Sequence, residues 1–148
     1  MKQNITGTML NSTDTYPPLG YLTPPFPSLH WPPQDKDWGL YGLHDMWRFT
    51  LLWTLIMFAI FHWSVAAIAV LMQVAKSPSN WKFVWLVPVV YSVVAGTEAL
   101  LAGSITGIIV GVVYRTGGWY MPTWIPFIWG WVNVLVVVVS SFSIQGGL

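Results

Sequence analysis

Two ionisable side chains stand inside long apolar runs, and they have the widest scope for chemistry. Glu98 lies within VAGTEALLAGSITGIIVGVVYR, which ends at Arg115, and His62 lies near the middle of an earlier run. A carboxylate at the centre of a bilayer costs several kcal/mol, so it needs a partner, water or a proton. An imidazole exchanges its proton near neutral pH and can serve as that partner. Both residues fall near mid-span on consecutive, antiparallel runs, which predicts a His62 to Glu98 hydrogen bond. Three roles fit such a pair: polar glue that fixes helix register, a proton relay, or a site at which Glu98 bonds another chain or a lipid head group. Asn133 and Ser140, in the third apolar run, complete the intramembrane polar set and can donate across helices.

Other reaction chemistry lacks its residues. The chain has no H-E-x-x-H, G-x-S-x-G or G-x-x-x-x-G-K-[ST] pattern, and His30, His44 and His62 lie far apart. Four of the five acids sit in or near the N-terminal tail. No catalytic residue, metal site or cofactor is expected, and the chain reads as a non-enzyme. Without cysteine it has no thiolate or disulfide. Its formal charge is +1 with scattered basic residues, so nothing tracks a nucleic acid backbone. One copy offers no charged ring for a channel.

The elements that must position these residues are membrane helices. Of 148 residues, 55% are hydrophobic and 7% charged, a balance that ordinary soluble domains do not show. The expected fold is an all-α membrane protein with three transmembrane helices and an irregular tail. The tail covers residues 1–45 and the membrane domain 46–148, with spans over about 48–75, 83–114 and 123–144. The second span, about 32 residues or roughly 48 Å as a helix, must tilt, protrude or break, and the region of Gly96 is the expected kink. Lys2 is followed by a polar, proline-rich segment instead of an apolar core, so the first span also directs insertion. No internal repeat of the transporter kind is visible.

The loop KSPSNWK (Lys76–Lys82) carries two lysines and no acid, which places it in the cytosol by the positive-inside rule. The N-terminus is then lumenal and the C-terminus cytosolic. The sequons at Asn4 and Asn11 agree, since glycosylation requires a lumenal tail. The segment YPPLGYLTPPFPSLHWPP (Tyr16–Pro33) predicts an extended, polyproline-like chain. It is either a stiff spacer or a strap whose Tyr16, Tyr21, Phe26 and Trp31 lie on a partner or across the mouth of the bundle. DKDWGLYGLHDMWR (Asp35–Arg48) should lie at the membrane surface.

At about 100° per residue, Gly96, Gly103, Gly107 and Gly111 share one arc of the second span, a groove for close helix approach. Glu98 projects to the opposite side, so this helix is expected to need company on two faces. His62 shares a face of the first span with Leu51, Leu55 and Ala66, and the third span carries a stripe of Gly130, Asn133, Val137 and Ser140.

Several segments in order resemble the transmembrane protein 170 family: the sequons, Phe58-Ala59-Ile60-Phe61-His62, GVVYR at Gly111–Arg115, Met121-Pro122, and VVVVSSF at Val136–Phe142. The resemblance covers about Met46 to Phe142, and it assigns no role to Glu98 or to the many tryptophans. It implies a three-span protein of the endoplasmic reticulum and nuclear envelope, linked to reticulum shaping and nuclear pore formation. It also implies partners: membrane lipids and a larger transmembrane protein, the anchor of a bridge-like lipid-transfer protein, at a membrane contact site. Self-association and a lipid-scrambling role are the further expectations.

Overall fold

Three long helices and a short cap make up the computed structural model, which describes residues 16–33, 35–76 and 84–145. Helix α1 spans Leu43–Lys76, α2 spans Leu86–Thr116 and α3 spans Trp124–Gln145. All three are long and apolar enough to cross a membrane. Unbroken helix is the outcome expected in lipid, where each backbone N–H and C=O must find its partner within the segment. Pro88 falls in the first turn of α2, where its missing N–H leaves no gap, and α2 continues through Gly96 as one helix. The sequons at Asn4 and Asn11, and most of the loop from Lys76 to Lys82, lie outside the described residues.

The turn that ends α2 explains how α3 returns beside α1. Gly118 adopts φ +72°, and Trp119 N–H bonds back to the Tyr114 carbonyl at 3.0 Å. A left-handed residue with this back-bond closes the helix C-terminus, and glycine accepts that conformation without a Cβ clash. The chain then runs into strand β2 (Met121–Pro122), which pairs antiparallel with strand β1 (Gly39–Leu40). Leu40 and Met121 are fully buried and join Met46, Phe49 and Val110 in one core cluster. The two-residue ladder thus ties the entrance of α1 to the α2–α3 turn.

Helix α1 is the axis, with α2 and α3 packed on it. A Cβ on Gly103 would stand 3.1 Å from Thr54 and 3.2 Å from the Leu51 Cα, and one on Gly107 would stand 3.2 Å from the Trp47 backbone. On the other side, a Cβ on Gly130 would stand 3.1 Å from the Trp53 carbonyl carbon. Small residues therefore bring three backbones to near contact, where dispersion replaces the hydrophobic drive that lipid cannot supply.

The buried line on α2 runs through Ala95, Ala99, Gly103, Gly107 and Gly111, a repeat of four residues. On an ideal helix such a row drifts by about 40° every four residues, so the contact turns around α2 instead of holding one face. Gly96 is a correction to the sequence reading: it lies off this row, and a Cβ there would meet nothing within 4 Å. The same drift carries the α1 contact toward Glu98, about 60° from Ala95 although half a turn from Gly107. The expectation that Glu98 points wholly away from the helix that fills the glycine groove is therefore corrected. Helix α1 meets both.

The tail is a strap and not a free spacer. Phe26 inserts its ring edge-on against Phe49 at 5.5 Å and tilted against Trp53 at 5.3 Å, bridging the two core clusters of the bundle. Trp124 donates its indole N–H to the His30 carbonyl at 2.8 Å, and His30 stacks on Trp38. Tyr16 and Trp31, expected to share the covering role, remain exposed.

Gly107→Leu should lower stability by about 1 to 3 kcal/mol, because the added side chain meets backbone that cannot yield. Gly96→Leu should change it by less than about 0.5 kcal/mol. Unfolding titrations in mixed micelles compare the two.

Candidate functional site

Threonines and one asparagine form the best-connected polar group between the helices. Asn133 donates from Nδ2 to the Thr54 hydroxyl at 3.1 Å, and its Oδ1 accepts from Thr106 at 3.0 Å. Thr54 in turn donates to the Thr50 carbonyl at 2.8 Å, and Thr50 to that of Met46 at 2.8 Å. One residue of α3 thereby fixes the register of α1 and α2 together. Thr50, Thr54 and Asn133 are buried, so each bond satisfies groups that lipid could not. Thr50, Thr54 and Thr106 were not singled out from the sequence. Their signal is the spacing of four, since Thr50, Thr54, Phe58, His62 and Ala66 continue the row on α1 that meets α2.

Farther along the same contact, His62 Nε2 stands 3.3 Å from Glu98 Oε2. The other ring nitrogen, Nδ1, is 3.0 Å from the Phe58 carbonyl. A carbonyl only accepts, so Nδ1 carries a proton. At 3.3 Å His62 Nε2 and Glu98 Oε2 are close neighbours but poorly aligned: Glu98 Oε2 is buried and accepts no hydrogen bond. The side chains differ in cover, with His62 at 19% exposure and Glu98 at 40%. Glu98 thus has one oxygen turned toward His62 while much of its side chain reaches the outer surface of the bundle.

A third contact joins the same two helices. Trp63 donates its indole N–H to Ser92 at 3.1 Å, and Ser92 donates to the Pro88 carbonyl at 2.7 Å. Ser140, grouped with Asn133 as a stripe, is not brought to the junction. It is exposed and donates to the Val136 carbonyl one turn back at 2.7 Å. The physical reason is again drift: seven residues separate the two positions, and the contact of α3 with α1 moves off that side of the helix. The polar atoms consequently form a sealed node and a half-open pair, not a continuous lining. Among the described residues no group of three or more His, Cys, Asp or Glu could hold a metal ion.

At the tail end, Tyr21 donates to the Gly39 carbonyl at 2.7 Å, and a Cβ on Gly39 would fall on the Tyr120 ring. The turn before it places Tyr21, with Gly20 at φ +86° and Tyr21 N–H bonded to the Pro18 carbonyl at 3.0 Å. Burial, with the negative charge of Asp45 adding to it, pushes the Tyr21 phenol up to about 12 from its ordinary 10.0.

Residues 39–148 match the model of a family described as transmembrane protein 170A/B-like. The chain is 37% identical over 134 residues to the uncharacterized protein YPR153W of Saccharomyces cerevisiae, an overlap that takes in 88% of this chain and 92% of that protein. No solved structure matches it.

Two measurements check these assignments. Asn133→Leu should cost about 1 to 3 kcal/mol, since two interhelical bonds of roughly 0.6 to 1.7 kcal/mol each are lost. Ser140→Ala should be near neutral in the same micelle unfolding titration. A raised phenol pKa means stability present below the unfolded value near 10 and lost as pH rises through about 12. Spectrophotometric titration should therefore show a late tyrosine ionisation, absent in Tyr21→Phe, and protease should release the strap only in that upper range.

Proposed function

Because the chain belongs to the transmembrane protein 170A/B-like family, and because its polar groups hold helices together instead of lining a path, we propose that it is a non-enzymatic subunit of a larger membrane complex. In this reading it resides in the endoplasmic reticulum, with the tail lumenal and the C-terminus cytosolic. It docks the membrane-anchored end of a bridge-like lipid-transfer protein and assists lipid to leave the bilayer. The observation that carries the reading is Glu98: an acidic side chain 40% exposed on a spanning helix. Such a group is costly against lipid and is stabilised when another chain covers it.

Two rival roles make different demands on the structure. A lipid-scrambling element needs a polar seam open along the bilayer, whereas Asn133 is buried and Ser140 bonds its own helix. A reticulum-shaping protein needs only copies of itself. The strap favours assembly over either, since Phe26, Tyr21 and Trp124 build a fixed surface at the tail end. The loop lysines Lys76 and Lys82 and the sequons at Asn4 and Asn11 support the orientation.

Gentle extraction from native membranes, followed by size separation and mass spectrometry, tests the role. The expected result is co-migration with a much larger transmembrane protein. Migration as a lone chain would sink the reading, and migration as a multiple of itself would favour the shaping role.

A further inference from the structure

Helix α2 carries a second pattern, of which its packing on α1 uses only Glu98. Val94, Glu98, Leu101, Ile105, Ile108 and Val112 follow one another at spacings of 4, 3, 4, 3 and 4. This is the alternation with which a helix presents one straight seam to a partner helix in a left-handed pair. The glycine row uses a different repeat, of four residues, and faces α1. The five apolar members of the seam lie on the outer surface, from 42% exposure at Val112 to 67% at Leu101. Apolar side chains there are at ease in lipid and alone would identify no partner. Glu98 changes that, because it stands within the seam as its one polar member.

We propose that this seam is the docking surface for a single transmembrane helix of a different chain, which brings a basic or amide side chain to the level of Glu98. Two features point to such an occupant. The Glu98 side chain is 40% exposed although its Oε2 is buried beside His62. His62 fills only one flank, and its Nδ1 proton is already committed to the Phe58 carbonyl. A donor arriving along the seam would meet Glu98 from its open side, and a polar group at one such position fixes register between helices.

A second copy of this chain fits poorly. Two copies share one orientation in the membrane, so a twofold pairing on this seam would run parallel and set Glu98 against Glu98. Two carboxyls side by side disfavour each other's charge, and neither supplies the missing donor to the other without an added proton. The inference rests on the assembly-subunit reading and names the face that such an assembly would use.

Photo-cross-linking in native membranes tests it with the full-length chain. A photoreactive phenylalanine analogue is placed singly at Leu101, at Ile105 and, as a control, at the equally exposed Leu71 of α1. Positions 101 and 105 should link to one and the same foreign chain, with Leu71 yielding a tenth as much or less. The linked peptide should be an apolar span with Lys, Arg, His, Asn or Gln within one helical turn of the link. Glu98→Leu should lower the yield about fivefold to tenfold, and Glu98→Gln, which keeps an acceptor, should stay within about twofold of the parent. Both variants are compared at equal melting temperature in micelles, so that loss of fold is not read as loss of docking.

An adduct of two copies of this chain would overturn the proposal. So would a linked span without a donor, or links to lipid alone while a larger protein still co-purifies. In the last case the assembly reading survives and only the face is wrong. If nothing co-purifies and nothing links, both fall.

Discussion

Backbone approach between α1 and α2 is the constraint on which the other contacts depend. Gly103 and Gly107 leave room for the Leu51 and Trp47 main chain at about 3.2 Å from where a Cβ would stand. In lipid, apolar surface has nothing to gain by leaving its surroundings, so the energy of association comes from dispersion at short range and from hydrogen bonds that need short range. With larger residues along the row, His62 could not come within 3.3 Å of Glu98. Gly130 plays the same part for α3, and α1 is consequently enclosed by glycines on two sides.

Given that approach, the polar residues divide by depth of cover. The Asn133 node is bonded throughout and buried except at the partly covered Thr106, so its contribution is to register and stability. The His62–Glu98 pair is poorly aligned, and the Glu98 side chain is partly exposed. A covered network suits a structural role, whereas a partly exposed acid in a membrane helix suits contact with something outside the chain. The tail adds a third surface, held by Phe26 and by the β1–β2 ladder to the end of the bundle where α2 turns into α3.

Much of this arrangement is legible in the residue string. Three apolar runs of sufficient length can be nothing but spans, and the Gly-x-x-x-Gly-x-x-x-Gly series marks the close contact. Mid-span depth, counted along the runs, brings His62 and Glu98 to one level. The structure places them 3.3 Å apart without a hydrogen bond, although faces drawn on a straight helix set Glu98 opposite the glycines. That picture fails because a row of spacing four is not a fixed face; it winds around the helix and takes Gly96 out of the contact. Ser140 fails for the same reason. Thr50, Thr54 and Thr106 escaped notice because a lone threonine in a membrane helix ordinarily bonds its own backbone, as Thr50 also does here.

What the sequence determines by itself is whatever follows from composition and length: membrane class, number of spans, the small-residue row and the scarcity of groups that could perform a reaction. What only the tertiary structure decides is which polar atoms become partners. Hydrogen bonds act over about 3 Å, and the angular drift of a helical contact moves a side chain by more than that within two turns. Two sequence readings of the tail, spacer and strap, were equally consistent with its prolines. The seating of Phe26 between Phe49 and Trp53 separates them, because only the folded bundle creates the apolar mouth that the ring fills.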